Sequence, residues 1–215
     1  MATNSKFLEG PSPNWPRPGG AMSEEEYHEL ERLSPDRKYE YIAGMAYMMS
    51  GGSVAHDRIT RNLSAALDTR LSGPCTAFGV DVQVLVGTRK NGKKHYMYPD
   101  ATVSYNPGDS RPENTLIEAP KVVIEVLSPG TEMRDRGVKF KAYQQCPTIQ
   151  EVVLVSQFAQ YVEIWQRDQQ NIEVWHYRHY SPGETVELAS IGVHVKIEEL
   201  YRGLDFTQQE IDDEE

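Results

Sequence analysis

Cysteine is scarce in this chain: Cys75 and Cys146 are the only two among 215 residues. They show no CxxC spacing and no histidine pattern beside them, which argues against a disulfide-stapled scaffold and a cysteine zinc cage. Both read as buried thiols. Long hydrophobic runs are missing as well. No apolar stretch approaches the ~20 residues of a membrane span, and nothing has the form of a signal peptide. The expected compartment is the cytoplasm, with no membrane partner. Positive charge is short: 22 Lys and Arg face 32 Asp and Glu, for a net charge of −10. That balance speaks against a protein that coats nucleic acid without selectivity. Several catalytic signatures are also absent. There is no glycine-rich phosphate loop, no GxSxG elbow and no HExxH pair. His176 and His179 are too isolated to define a zinc site.

What is present suits one soluble globular domain with tails. Hydrophobic residues make up 39% and charged residues 25%, and the length can bury a core without staples. Residues 1–21 hold Pro11, Pro13, Pro16 and Pro18 and read as a disordered or extended arm. Residues 205–215 form an acidic tail expected to fray. The tail carries six acids and no base and the arm a net +1, which leaves −5 for the domain at 22–204. Within that domain, Arg89, Lys90, Lys93, Lys94 and His95 precede Asp100. Arg134, Arg136, Lys139 and Lys141 follow Glu125. Bases therefore cluster in sequence beside two acids, although a solvated charged hairpin is the plain alternative.

In chain order, Ser23 and Glu26 form a capping box for a helix ending near Leu33. Lys38–Ala43 and Met45–Met49 read as strands joined in a hairpin at Gly44. Glu40 lies inside the first; an exposed Glu on an edge strand is its plain alternative. Ser53 caps a second helix to about Leu71, with Ile59, Leu63, Ala66, Leu67 and Leu71 as its apolar stripe. His56 sits one turn before Ile59, where a satisfied boundary histidine is the ordinary reading. Thr76–Val86 is predicted as one strand, and Asn91-Gly92 turns the chain back into a strand carrying Tyr98-Pro99-Asp100-Ala101-Thr102-Val103. Residues 106–119 are a polar loop. Lys121–Leu127 is a strand apolar on both faces, with Glu125 inside it. Ser128-Pro129-Gly130-Thr131 turns into a basic helix ending near Cys146-Pro147. Strands are expected at Glu151–Ser156, Tyr161–Gln166, Ile172–Tyr177, Thr185–Leu188 and Ile191–Ile197. This order predicts an α/β protein, a mixed sheet with helices on its faces.

Asp100 and Glu125 carry the chemistry. An ionised carboxylate between apolar neighbours is costly unless it is paired or holds a cation. Two on adjacent strands suggest one shared site. Mg2+ sites commonly use one or two carboxylates with water and substrate phosphate. Asp135, Lys139 and Tyr143 follow at i, i+4 and i+8, on one helix face. A surface ion pair between Asp135 and Lys139 is the plain alternative. Lys141 lies about 200° around the helix from Lys139.

These residues also carry a resemblance. Tyr39-Glu40-Tyr41-Ile42-Ala43-Gly44, His56, Pro99-Asp100, Val123-Ile124-Glu125-Val126-Leu127-Ser128-Pro129, then Asp135, Lys139 and Tyr143 occur in an order and at spacings similar to the Uma-two family. That family consists of restriction-endonuclease-like proteins within the PD-(D/E)XK nuclease superfamily. The resemblance spans about Met22 to Leu204. It implies a restriction-endonuclease-like α/β/α core with additional β-hairpins. It implies that Asp100 and Glu125 bind Mg2+ (Mn2+ as an alternative), that Glu40 supports them, and that Lys139 is catalytic. In the wider superfamily a lysine stands two residues after the second acid; here that position is Leu127, and the family pattern moves the lysine to Lys139, with Lys141 as second candidate. Cys146-Pro147 replaces the family's usual Gly-Val at the following turn. The implied function is a Mg2+-dependent endonuclease hydrolysing DNA phosphodiester bonds to 5′-phosphate and 3′-hydroxyl ends, for which a homodimer would suit double-strand cleavage. Two rivals stand beside it: a binding or assembly protein that keeps the fold without turnover, and a hydrolase of another phosphate ester.

Overall fold

The computed structural model describes residues 20–87 and 92–206. Residues 1–19 of the arm expected over 1–21, the hairpin tip with Arg89 and Lys90, and the tail beyond 206 lie outside them. The first helix, α1 (Glu24–Leu33), starts with the expected capping box between Ser23 and Glu26. The hairpin of β1 (Tyr39–Ile42) and β2 (Met45–Met48) follows. Its two turn residues, Ala43 and Gly44, both have positive φ, as a tight hairpin with matched twist requires. Helix α2 (Val54–Arg70) is capped by Ser53 and buries Ile59, Leu63, Ala66 and Leu67.

The predicted strand over 76–86 is in fact two strands in different sheets. β3 (Thr76–Gly79) ends at a turn through Asp81, and β4 (Gln83–Gly87) starts after it. The chain returns on β5 (Lys94–Met97), antiparallel to β4. The strand expected to hold Asp100 is also interrupted. β5 ends at Met97 and β6 begins at Ala101, leaving Tyr98-Pro99-Asp100 as the bridge from one sheet to the other. Pro99 has no N–H for a ladder and restrains the residue before it, so the break falls there.

Beyond the loop, a short β7 (Leu116–Ile117) pairs parallel with β4, and β8 (Pro120–Leu127) enters the second sheet. Helical residues 132–145 then cross to β9 (Glu151–Ser156), parallel to β8. β10 (Val162–Arg167) and β11 (Trp175–Tyr180) form an antiparallel pair. β11 begins three residues later than expected, because Asp168 accepts the backbone N–H groups of Gln170 and Asn171 and holds the segment as a loop. β12 (Thr185–Leu188) and β13 (Val193–Lys196) make a separate hairpin. A 3-10 turn, Ala189–Ile191, and a short helix, α5 (Ile197–Leu200), replace both ends of the strand expected at 191–197.

The strand orders are β2-β1-β5-β4-β7 in the first sheet and β11-β10-β9-β8-β6-β3 in the second. Three apolar clusters separate the layers. α1 packs Tyr27 and Leu30 on Tyr39, Tyr41 and Tyr96 of the first sheet. The two sheets share a core with the crossing helix: Ile42, Val84 and Met97 from one side, Val123, Leu127 and Val152 from the other, and Ala142 and Tyr143 between. α2, α5 and the β12–β13 hairpin cover the far face of the second sheet, against Val122, Ile124 and Val126. The single mixed sheet expected is thus divided in two, while the mixed α/β architecture holds.

Several smaller expectations change. Cys146 is buried, but Cys75 is only half-buried and both are free thiols. Ala21, expected in the arm, bridges to Met45, and Met22 donates to the Gly44 carbonyl at 2.8 Å. Phe206, expected in the tail, packs edge-on against Tyr201.

Candidate active site

The site forms where the two sheets and the crossing helix meet. Glu40 comes from β1, whose four residues are all buried because the strand lies between β2 and β5. The exposed edge-strand alternative is therefore ruled out. Glu40 Oε1 accepts the Tyr98 N–H at 3.1 Å, which ties it to the bridge that carries Asp100. Asp100 Oδ2 accepts the Val126 N–H at 2.7 Å and lies 3.2 Å from His56 Nε2. Ala101 pairs with Ile124 across β6 and β8. Carrying that register back one residue sets Asp100 opposite Glu125, so the two acids share a face. The two acids are neighbours, as the sequence argument expects, although Asp100 sits before its strand instead of inside it.

The crossing helix is not uniform. α3 (Glu132–Arg134) passes into a π-helical turn, Asp135–Lys139, and then α4 (Phe140–Gln145). Such single-turn π segments are uncommon and often occur at functional sites. Lys139 Nζ reaches Glu125 Oε1 at 2.6 Å, Glu40 Oε1 at 2.9 Å and Asp135 Oδ1 at 3.3 Å. All four residues are buried. The surface-pair alternative for Lys139 fails, since the lysine is shared by three carboxylates in the interior. The Tyr143 hydroxyl donates to Glu125 Oε1, one turn further on. Lys141 is exposed to solvent and does not line the cleft.

Burial sets the electrostatics. It pushes the Glu125 carboxyl well above the carboxylate range; Lys139 pulls it back, and Asp135, Asp100 and Glu40 push it up again. Asp135 is raised for the same first reason, with Lys139 opposing. For Lys139, burial works to lower the pKa, but Glu125 and Glu40 outweigh it and hold the ammonium charged. His56 is raised chiefly by its hydrogen bond to Asp100, against the opposing effect of burial. A histidine raised on folding stabilises the fold fully below its unfolded pKa, about 6.5, and that contribution fades as pH rises through the folded value. Urea melts should therefore show the gap between wild type and His56→Gln narrowing from pH 6 to pH 8. A gap that widens would reverse the sign.

The donor set fits a divalent cation. Four acids, Glu40, Asp100, Glu125 and Asp135, meet two basic side chains there, Lys139 and His56. Asp100 Oδ1 and Glu125 Oε2 accept no hydrogen bond from any described residue. Both residues line one cleft of about 390 Å³, with Glu40, Asp135 and Lys139. Among the described residues no three Asp, Glu, His or Cys side chains gather into a complete metal cage. A site of two carboxylates completed by water and phosphate is the form expected for Mg2+.

A family model described as "Putative restriction endonuclease", Uma2, matches residues 24–198. The chain belongs to the Uma2 family. It is 34% identical over 196 residues to "Uncharacterized protein slr1290" of Synechocystis, covering 91% of this chain and 98% of that one. It is 29% identical over 144 residues to "Uncharacterized protein sll1609" of the same organism, covering 66% and 78%. The crystal structure of "a putative nuclease belonging to DUF820" from Anabaena variabilis superposes with a TM-score of 0.61 at 18% identity, over 77% of this chain and 90% of that one. That likeness concerns the fold, and it agrees with the mixed α/β architecture seen here. Within this Uma2 chain, His56 is a half-buried histidine satisfied by Asp100, as its ordinary reading has it, although a histidine one turn before an apolar stripe gives no sign of which acid it will face. Arg134 is legible as one of the bases after Glu125, but no local pattern shows that it lies over the Tyr47 ring.

Proposed function

We propose that this protein is a Mg2+-dependent endonuclease that hydrolyses phosphodiester bonds of DNA. One observation supports the reading: Asp100 and Glu125 each keep an oxygen that accepts no hydrogen bond from a described residue, and both line the cleft that Lys139 also lines. Asp100 and Glu125 would hold the ion. Bound there, Mg2+ would offset phosphate charge and make a coordinated water more acidic. Asp100 is anchored through one oxygen by the Val126 N–H, which leaves the other fixed in direction. Lys139 stays protonated among its acids, so it serves as a donor and not as a base. Its ammonium donates to Glu40 and is also ion-paired with Glu125 and Asp135. The longest contact, 3.3 Å to Asp135, is the one it would exchange for a water or a phosphate oxygen. Glu40 holds the amine from the other side. No helix among the described residues is long and apolar enough to cross a membrane. A homodimer would present two such clefts to opposite strands, and light scattering of the purified protein tests it.

The deciding assay incubates plasmid, linear and single-stranded DNA with Mg2+ or Mn2+, with an RNA control. Cleavage that needs the metal and disappears in Glu125→Gln supports the reading. Metal binding without cleavage of any nucleic acid would instead favour a fold kept without turnover.

A further inference from the structure

We propose that Arg134 and Tyr47 form a phosphate-binding subsite on the rim of this cleft, which seats the substrate backbone beside the bond to be cut. The inference rests on the endonuclease reading and extends it to how a polyanion is held over an acidic floor.

The helix that supplies Lys139 carries other cations, and they are committed differently. Arg136 donates to Glu132 at 2.7 Å and to Glu163 at 2.6 and 3.1 Å. Lys139 is shared by three acids. Lys141 faces solvent. Arg134 lines the cleft, and its side chain makes no ion pair or hydrogen bond among the described residues. Its guanidinium carbon instead lies 4.3 Å from the centre of the Tyr47 ring. Stacking of this kind holds the planar group in place and leaves its N–H donors available.

The position of Tyr47 ties this cation to the acids. Tyr47 stands directly opposite Glu40 in the β1–β2 pairing. Residues opposite one another in an antiparallel pair share a face, with Cβ atoms about 5 Å apart. The helix thus sends Lys139 to Glu40 and Arg134 to the neighbour of Glu40. An arginine fork matches two oxygens of one phosphate. The floor beneath it holds more acids than bases, and a polyanion gains from a cation set above it. Ser128 and Thr131, whose hydroxyls are hydrogen-bonded to each other at 2.9 Å, line the same cleft.

The test compares wild type, Arg134→Ala and Arg134→Lys. Binding of fluorescein-labelled duplex and single-stranded oligonucleotides is followed by anisotropy across a salt series with Ca2+ present, with inorganic phosphate as competitor. Cleavage is followed with Mg2+, and thermal melts check folding. Arg134→Ala should weaken oligonucleotide binding about tenfold and lower the salt slope by about 1, the effect of one lost phosphate contact. KM should rise more than kcat falls, and the Mg2+-dependent melt shift should persist. Arg134→Lys should recover only part of the binding, lacking the planar fork. Competition by inorganic phosphate at wild type, lost in Arg134→Ala, would mark the phosphate itself as what is recognised. A folded Arg134→Ala with wild-type affinity, salt slope and KM overturns the subsite and leaves the nuclease reading standing. A wild type that binds oligonucleotides through Arg134 but never cleaves overturns the nuclease reading and keeps the subsite. A wild type that neither binds nor cleaves overturns both.

Discussion

Replacing Lys139 with methionine should destabilise the metal-free protein by about 3–5 kcal/mol near pH 8, the usual cost of removing one partner from a buried ion pair. Methionine keeps much of the volume, so the loss reports charge. Glu125, Glu40 and Asp135 would then face one another without their shared ammonium. Their carboxyls would move up beyond the rise that burial already imposes on Glu125 and Asp135. A carboxyl raised on folding makes the folded state bind more protons than the unfolded one, so stability falls as pH rises. The defect should therefore shrink as the pH is lowered from 8 to 5. Mg2+ should restore part of it, by mass action on the native state. Urea unfolding at the two pH values, with and without Mg2+, measures all three effects. Cleavage should be lost even where Mg2+ rescues the fold. A loss below about 1 kcal/mol at pH 8 would mean that the lysine behaves as a surface pair does, and the reading of the cluster would be wrong.

Asp100→Asn should abolish cleavage while leaving the fold near wild type. Removal of a group that merely supports a metal ligand costs about 10–100-fold, so loss of the ligand itself should reach at least the upper end. The amide keeps an acceptor for the Val126 N–H, which the carboxylate now receives at 2.7 Å. Asp100→Ala differs in kind. It leaves that buried N–H without a partner, at about 1–3 kcal/mol, so its defect mixes stability with chemistry. Thermal melts should show an upward shift with Mg2+ for wild type and little or none for Asp100→Asn. A metal-responsive, cleaving Asp100→Asn would remove Asp100 from the site.

The sequence alone singled out Asp100 and Glu125 as costly carboxylates and determined much of the local structure. The capping box at Ser23, the hairpin at Gly44 and the apolar stripe of α2 are legible because each depends on neighbours within a turn. Glu125 stands out for a similar reason: a carboxylate in a run apolar on both faces has to be answered by something. The errors fall where the chain changes sheet. The valines before and after Asp81 keep a strand's alternation through a turn, so periodicity reads one strand where there are two. Pro99 marked the other break, and its missing N–H was the available signal. Only the tertiary structure decided what the acids face. Glu40 lies 99 residues from Lys139 in sequence, and His56 and Asp100 belong to different layers. No local pattern encodes such meetings. They follow from two sheets closing on one helix, which buries three carboxylates around one ammonium and leaves Arg134 stacked on Tyr47.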